Sequence, residues 1–401
     1  MTMPHAASVL TVLGLAAALG AIGGATAAAD DPHKNFENNK IYQWMDGRLP
    51  YDGPKITYDG PPITVKFSTF LGAGSAVIAD NFVAAGKRME ADTGGKMKFR
   101  IFWGNTLHDS QRGAFEGVAG GVSDLSHCYS WINPGGFDLQ LGIQLPGMVD
   151  NWDRKGATTG AVAMTNLYPK YFKAKYEAHK VLFGAFTMTP PQQALTKDRP
   201  IHKLEDVAGR KMLASGDIAT ATARALGALP VPLTVAEYYS GFQTGVVDIF
   251  AIHDAGLVLF RMVDLAKFRT ITNLWANPIE FCQNKEFYTK LPADLREYWR
   301  VWLQRWGHAT NEVYFDRSAG TAVQRAVATG MTMHVLADAE KARFDAKLKP
   351  VVDEWVAGME AKGLPARQMV QDFRARVTEL RAMTYDQIFD LVSKPGIALF
   401  E

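Results

Sequence analysis

Three short stretches in which apolar and polar residues alternate decide the fold: ITVKFSTF (residues 63–70), KMKFRIFW (96–103) and VSDLSHCY (122–129). Alternation with a period of two predicts β-strands. Between the strands, apolar residues recur at helical spacing over 78–89, and a second helix is predicted over about 109–118. The order strand, helix, strand, helix, strand indicates a parallel sheet covered by helices.

A second run of the same kind begins at Leu204. It follows the apolar strand VLFGAFTM (181–188), and its patterns predict a helix over 218–226 and strands over 229–233 and 246–251. Two such runs joined by strands are typical of two-lobed α/β proteins, which bind ligands in a cleft at the carboxyl ends of their strands. We therefore expect two lobes, each a mostly parallel sheet flanked by helices, that close by a hinge motion.

The chain becomes mostly helical after residue 292. Leu295, Trp299, Trp302 and Trp306 form an apolar stripe along one long helix. We interpret the stripe as core packing rather than as a cofactor-binding surface, because large aromatic side chains are mostly buried. The expected architecture is thus two α/β lobes with a long helix and a helical C-terminal tail.

Length and composition fit a globular, exported protein. The 401 residues exceed what one compact core usually holds, which favours two lobes. Lys and Arg total 43 and Asp and Glu total 41, and a net charge of +2 argues against a nucleic-acid partner. Residues 8–25 are apolar, and the small residues Ala27 and Ala29 follow them. We therefore expect a signal peptide over 1–29 and a periplasmic mature protein.

Residues 30–62 are polar and carry the turn signal YDGP twice, at 51–54 and 58–61. We expect an extended N-terminal arm whose aromatic residues pack against the body. The complete division of the chain that we predict is a signal peptide (1–29), an arm (30–62), lobe I (63–190 with 281–325) and lobe II (191–280 with 326–401).

No recognisable catalytic motif is present. GAG at 72–74 opens a helix after a strand, but Val77 stands where a dinucleotide fingerprint needs its third glycine, so we expect no cofactor. His127 and Cys128 lack the third group that a nucleophilic pair needs to orient its base. Cys128 forms either a disulfide with Cys282 or a packed free thiol. No Cys/His cluster has zinc spacing, and we expect neither a metal nor enzymatic activity.

The two α/β runs resemble the solute-binding proteins of TRAP transporters, the DctP-like family. In the first run the resemblance rests on residues 82–126, which include TGGK and a following strand. In the second it rests on KLEDVAGRKMLASGD (203–217) and ALGALPVPLTVAEYYSGFQTGVVD (225–248), and CQNKEFYTKLPADLR (282–296) also matches. The resemblance implies a monomeric, non-enzymatic receptor that closes on a small-molecule ligand and passes it to membrane TRAP permease subunits.

The sequence departs from the family where relatives hold the carboxylate of their ligand. The position of the family's clamping arginine corresponds here to Leu213, and a second arginine of some relatives corresponds to Gln193. IFAIH (249–253) replaces the polar residues that usually follow the last strand. Burying an unpaired carboxylate beside Leu213 and Phe250 would cost on the order of several kcal/mol. We therefore expect a neutral, aromatic or largely apolar ligand.

Two alternatives stay open. A carboxylate ligand is compatible with the sequence if Arg112, Arg154 or Arg261 reaches the cleft. The same fold also suits a protein that presents its ligand to a sensor, or an accessory protein. Strand-end position and family match select the predicted ligand-binding residues Phe70, Asp109, Tyr129, Trp131, Gln193, Leu213, Val235, Tyr238, Phe250, Ile252, His253 and Trp275.

Overall fold

The computed structural model describes residues 36–74, 76–132, 136–150 and 155–394, without the side chains of residues 76–79. The predicted signal peptide and the first six residues of the arm (30–35) lie outside the described residues. Within the described ranges, no helix combines the length and the apolar character that crossing a bilayer requires.

The strands form two main sheets. In chain order, the described strands are β1 (Ile63–Ser68), β2 (Met97–Phe102), β3 (Leu125–Cys128), β4 (Val181–Met188), β5 (Gln193–Thr196), β6 (Lys211–Leu213), β7 (Leu229–Val231), β8 (Phe250–Ile252), β9 (Phe268–Ile271), β10 (Pro278–Asn284) and β11 (Thr332–Val335). The first sheet has the order β2-β1-β3-β10-β4 and the second the order β11-β9-β5-β8. β6 and β7 pair separately, in parallel.

The alternating patterns predicted β1, β2 and β3 correctly. They did not predict β10, which makes the first sheet mixed because it runs antiparallel to both β3 and β4. β1 is parallel to β2 and to β3, and β4 has the predicted bounds. The second sheet is mixed rather than mostly parallel, because β5 enters it directly from the first sheet and runs antiparallel to both β8 and β9. The helix predicted from residue 109 begins only at Ala114, since a turn occupies residues 109–112.

Helices cover both sheets. The described helices are α1 (Lys40–Met45), α2 (Ala76–Asp92), α3 (Ala114–Ala119), α4 (Asp138–Leu141), α5 (Gly156–Tyr171), α6 (Lys173–Ala178), α7 (Asp217–Ala225), α8 (Tyr238–Gln243), α9 (Gly256–Leu259), α10 (Lys285–Lys290), α11 (Ala293–Ala309), a π-helix (Thr310–Arg317), α12 (Ser318–Ala328), α13 (Asp338–Ala361), α14 (Ala366–Arg381) and α15 (Tyr385–Val392). Short 3-10 turns lie at Phe36–Asn38, Ser130–Ile132, Gly142–Gln144, Leu204–Asp206, Val235–Glu237 and Met262–Asp264.

The tryptophan stripe of α11 packs into the core, as predicted. Trp299, Trp302 and Trp306 are buried in consecutive contact, with ring centroids 5.3 and 5.2 Å apart. Trp306 also stacks on Phe281 of β10 at 4.4 Å. Burying one such side chain contributes roughly 2–3 kcal/mol, so this stripe fixes α11 firmly against the first sheet.

Cys128 and Cys282 are joined by a disulfide, with Cα atoms 5.9 Å apart. Their strands, β3 and β10, are antiparallel neighbours, and Cys282 lies opposite Ser126 in the ladder. The bond therefore links a strand of the first α/β run covalently to the strand that returns from the second run.

The arm lies against the first-sheet side of the molecule. Ile41 and Trp44 of α1 are buried. Arg305 of α11 donates to both carboxylate oxygens of Asp52, at 2.8 and 3.0 Å, and the carboxylate of Asp294 accepts the backbone N–H of Tyr58 at 2.8 Å. The prediction that the arm packs on the body is confirmed for its described part.

The C-terminal segment, which we expected in lobe II, is divided between the two sheets. β11 joins the second sheet, and α13 packs on α7. α14 packs instead on α5, and α15 packs on α11 and α1. The reason is the apolar face of each helix, since Met369 and Phe373 of α14 and Ile388 and Phe389 of α15 are buried in the same core as the first sheet.

Two segments cross between the sheets side by side: 189–192 between β4 and β5, and 272–277 between β9 and β10. The backbone N–H of Gln192 donates to the carbonyl of Trp275 at 2.7 Å. Such paired connecting strands are the usual position of a hinge.

Candidate functional site

A row of aromatic rings follows the carboxyl ends of β1 and β3. Phe70, beyond β1, packs edge-on against Tyr129, beyond β3, with ring centroids 5.8 Å apart. Tyr129 in turn packs against Trp131 at 6.0 Å. Ligands of α/β sheets bind outside the carboxyl ends of parallel strands, so this row forms the first wall of the candidate site.

The second wall is apolar and belongs to the second-sheet side. Leu213 ends β6 and is buried in one cluster with Phe250 and Ile252 of β8. Tyr238 opens α8 and packs edge-on against Phe250 and against Phe260, each with ring centroids 5.2 Å apart. The position that corresponds to the clamping arginine is therefore surrounded by hydrocarbon.

The π-helix adds a third group of rings, which the sequence analysis missed. Tyr314 and Phe315 are buried and pack on each other at 4.7 Å, and Phe315 meets His253 edge-on at 5.5 Å. The available signal was an aromatic pair that continues the helix carrying the tryptophan stripe. The stripe alone predicts a core helix and gives no sign of a site residue beyond it.

The three groups of rings meet. Burial raises the pKa of Tyr129 well above its ordinary value, and the nearby Glu280, Tyr238 and Tyr314 raise it further. Trp131 lies against Gly216, which precedes α7, so that a Cβ built on this glycine would be 3.4 Å from the indole ring. Tyr238 of α8 and Tyr314 of the π-helix are thus neighbours of Tyr129, which follows β3.

Two histidines at this region carry no charge at neutral pH. Burial lowers the pKa of His127 and of His253 to about 3 in each case. Nδ1 of His127 is 3.1 Å from the hydroxyl of Thr69, and Nδ1 of His253 accepts the backbone N–H of Gly256 at 3.2 Å. Neither imidazole supplies a positive charge for an anionic ligand.

Gln193 and Trp275 were both predicted to contact ligand. Gln193 begins β5 directly after one crossing segment, and Trp275 lies in the other. The side-chain oxygen of Gln193 accepts the backbone N–H groups of Thr272 and Asn273 at 2.8 and 3.1 Å. Its side-chain nitrogen donates to Asn273 Oδ1 at 2.7 Å and to the carbonyl of Pro191 at 3.1 Å. The side-chain amide of Gln193 therefore makes all these hydrogen bonds with residues of the two crossing segments. Trp275 is buried in the second-sheet core.

Asp109 and Val235 lie in local turns. The carboxylate of Asp109 is exposed and accepts the backbone N–H groups of Gln111 and Arg112 at 2.8 and 3.3 Å, which explains why no helix begins there. Val235 is half-buried in a 3-10 turn that Thr234 and Glu237 cap reciprocally.

The three arginines considered as substitute clamps differ in exposure and in pairing. The side chain of Arg261 is 70% exposed and pairs with Asp264 at 2.9 Å. Arg112 is exposed, and Arg154 lies outside the described residues.

Among the described residues, no group of three or more His, Cys, Asp or Glu side chains is arranged to hold a metal ion.

A buried carboxyl group stands behind the first wall. Glu280 of β10 accepts the hydroxyl and the backbone N–H of Ser130, at 2.5 and 3.3 Å. The side-chain amide of Gln140 also donates to Glu280. Burial raises the pKa of this carboxyl to about 7. Because Ser130 starts the 3-10 turn that carries Trp131, Glu280 holds the aromatic row in place.

Known proteins resemble this chain in sequence. The C4-dicarboxylate-binding periplasmic protein DctP of Rhodobacter capsulatus is 28% identical over 174 residues, which are 43% of this chain and 52% of that relative. The chain thus matches about half the length of this curated relative.

Solved structures resemble this chain in fold. A TRAP solute-binding protein from Rhodoferax ferrireducens, in complex with copurified benzoate, has a TM-score of 0.72 at 22% identity, covering 80% of this chain and 99% of its own. A TRAP periplasmic solute-binding protein from Bordetella bronchiseptica, with bound (R)- and (S)-mandelate, has a TM-score of 0.68 at 23% identity, covering 80% and 100%.

The family model that matches this chain describes bacterial extracellular solute-binding proteins of family 7, DctP, and it spans residues 67–358. The match includes all strands of both sheets except the first four residues of β1, together with the π-helix. The chain therefore belongs to the DctP family, the bacterial extracellular solute-binding proteins of family 7.

Proposed function

We propose that this protein is a periplasmic receptor that captures a small, neutral, aromatic or largely apolar molecule and delivers it to TRAP permease subunits. Family membership supports the receptor role. The observation that carries the choice of ligand is the apolar wall at Leu213, a side chain only 3% exposed that shares its cluster with Phe250 and Ile252.

The apolar wall discriminates between ligands by their charge. A carboxylate at this wall would give up its hydration without gaining an ionic partner from Leu213, His127 or His253, and the effective penalty is on the order of several kcal/mol. A neutral ring loses little hydration and gains about 25 cal/mol for each Å² of apolar surface buried. The site therefore favours a neutral ligand over its carboxylate counterpart.

Relatives support the aromatic part of the proposal. The Rhodoferax and Bordetella proteins hold benzoate and mandelate, both of which are aromatic acids. In this chain, Phe70, Tyr129, Trp131, Tyr238 and Phe315 offer ring faces and edges, which suit a planar aromatic ligand. We propose that these rings, with Leu213, Phe250, Ile252 and His253, contact the ligand.

We further propose that the two sheets are the cores of two lobes that close about segments 189–192 and 272–277. In this division α14 and α15 belong with the first lobe. We also propose export by the signal peptide over 1–29 and action as a monomer.

The test compares acids with their neutral esters in a thermal-shift assay. We expect methyl benzoate and methyl mandelate to raise Tm, and benzoate and mandelate to leave it unchanged. At a free ligand concentration about 100 times Kd, binding to the native state alone stabilises it by about 2.7 kcal/mol. Stabilisation by the acids alone would contradict the proposal, and Arg112→Ala and Arg261→Ala would then identify the clamp.

The variant Leu213→Arg tests the wall directly. It restores a guanidinium at the clamp position, and we expect it to gain benzoate binding through a bidentate ion pair. Leu213→Met is the matched control, because it keeps volume and apolar character, and it should behave like wild type. Benzoate binding that is equal in all three proteins would show that this wall does not select against charge.

A further inference from the structure

Two polar atoms among these rings are buried without a hydrogen-bond partner in the described structure. They are the hydroxyl of Tyr314, a residue only 3% exposed, and Nε1 of Trp131. Leaving a buried donor unpaired costs roughly 1–3 kcal/mol. Native proteins rarely retain such groups without a reason, and a ligand is one such reason.

Both atoms belong to the ring cluster that contains Tyr129. The ring of Trp131 lies 6.0 Å from that of Tyr129, and the phenol groups of Tyr314 and Tyr238 are close enough to Tyr129 to raise its pKa. Trp131 comes from the 3-10 turn after β3, and Tyr314 comes from the π-helix. Trp131 and Tyr314 are therefore both neighbours of Tyr129, although they come from different elements.

The π-helix holds Tyr314 rigidly. Asn311, one turn earlier, accepts the backbone N–H of Met188 at 2.9 Å and donates to the carbonyl of Gly307 at 2.9 Å. Wide π turns within helices occur frequently at functional sites. Because β4 fixes this turn, the hydroxyl of Tyr314 has little freedom to find another partner.

The chemistry of these groups is that of neutral donors. An indole N–H can only donate a hydrogen bond. Burial raises the pKa of Tyr314 and raises that of Tyr238 to about 12, so both phenols keep their protons at neutral pH. Such a set requires an acceptor from the ligand, and a carbonyl oxygen offers two lone pairs without adding a donor of its own.

We propose that the ligand is a neutral aromatic carbonyl compound whose carbonyl oxygen accepts hydrogen bonds from the hydroxyl of Tyr314 and from Nε1 of Trp131. This inference rests on the proposed function, because it assigns a functional group to the ligand of that same site. The rings of the first wall hold the aromatic part, and the two donors recognise the oxygen.

The test is isothermal titration calorimetry with acetophenone, ethylbenzene and benzoate. Acetophenone and ethylbenzene share ring and size but differ in the carbonyl oxygen. We expect wild type to bind acetophenone at least tenfold more tightly than ethylbenzene. Tyr314→Phe and Trp131→Phe should each reduce this ratio to less than about threefold and leave ethylbenzene affinity within twofold.

Matched controls are Tyr51→Phe, which removes a hydroxyl bonded to the carbonyl of Pro54 on the arm, and Trp355→Phe, whose Nε1 is also buried without a partner but lies on α13. Both should keep the wild-type ratio. Tyr314→Phe should not lower Tm, because the hydroxyl that it removes has no partner in the described structure. A clear fall in Tm would overturn the inference.

The outcomes separate the two proposals. Equal affinity for acetophenone and ethylbenzene, or a ratio that both site variants retain, overturns the carbonyl inference and leaves the proposed neutral ligand intact. Binding of benzoate alone overturns the proposed function as well. Failure of acetophenone and ethylbenzene to bind wild type contradicts both proposals.

Discussion

Replacing Glu280 by Gln removes a buried carboxyl group while keeping its shape. In wild type this carboxyl accepts hydrogen bonds from Ser130 and Gln140 and has no basic partner among these contacts. In the variant the new side-chain oxygen can still accept from Ser130. With its nitrogen in place of Oε2, the variant gives up only the 3.3 Å contact with the backbone N–H of Ser130. We therefore expect Glu280→Gln to fold.

The magnitude follows from the pKa of Glu280, which burial raises from 4.5 to about 7. Each tenfold change in a dissociation constant corresponds to about 1.4 kcal/mol, so the shift corresponds to about 3 kcal/mol. Because the pKa is higher in the folded state, folding favours the protonated form. The wild-type free energy of unfolding should therefore fall relative to the variant as pH rises from about 4.5 to about 7, and stay level above that.

The assay is urea unfolding followed by tryptophan fluorescence at pH 5 and pH 8. We expect Glu280→Gln to gain roughly 2–3 kcal/mol relative to wild type between these two pH values. Asp316, whose pKa burial raises to about 8, contributes equally to both proteins and cancels. The exposed Glu286→Gln is the control for charge and should follow wild type. A difference between Glu280→Gln and wild type that is independent of pH would refute the reasoning.

Three further predictions concern the crossing, the disulfide and the arm. Gln193→Ala leaves backbone N–H groups of the crossing unpaired and should lower the free energy of unfolding by about 2–4 kcal/mol without changing ligand preference, measured by urea unfolding and the ester–acid comparison. Replacing Cys128 and Cys282 together by Ala should cost about 2–4 kcal/mol in the same unfolding assay. Asp52→Asn should cost less than about 1 kcal/mol, because the carboxylate is largely exposed, and should speed proteolytic cleavage within residues 36–62.

Each of these predictions can fail clearly. A changed ester–acid preference in Gln193→Ala would return this residue to the ligand site. An unfolding free energy that reducing agent lowers equally in wild type and in the cysteine double variant would contradict a stabilising disulfide. Cleavage of the arm at the wild-type rate in Asp52→Asn would show that its ion pair with Arg305 does not hold the arm.

Local sequence pattern predicted β1 to β4 and the tryptophan stripe because these depend on short-range periodicity, but it did not predict β10. It could not predict where α14 and α15 dock, since an amphipathic helix does not specify which apolar surface covers its own. The strand-end rule drew attention to Phe70, Tyr129 and Trp131, which lie together. It failed to anticipate that the amide of Gln193 would be satisfied by backbone groups about 80 residues away.

The inward position of Tyr314 could not be predicted from the sequence for a different reason. Its helix is predictable from spacing, but a π turn changes which residues face inward, and no periodicity rule for α-helices contains that change. Asp109 shows the converse, because its position after a strand and before a helix suggested the cleft. A carboxylate that caps its own turn produces the same local pattern.

The contacts of the arm set an order on the folding of the chain. The backbone N–H of Lys40 donates to Asp386, and the ammonium group of Lys40 donates to Asp390, across separations of 346 and 350 residues. These bonds cannot form until nearly the whole chain is available for folding. The first segment of the body to arrive is thus among the last to dock, and pairings of such long range fold slowly. Until then, the surfaces of α11 and α15 beneath the arm remain open to chaperones and proteases.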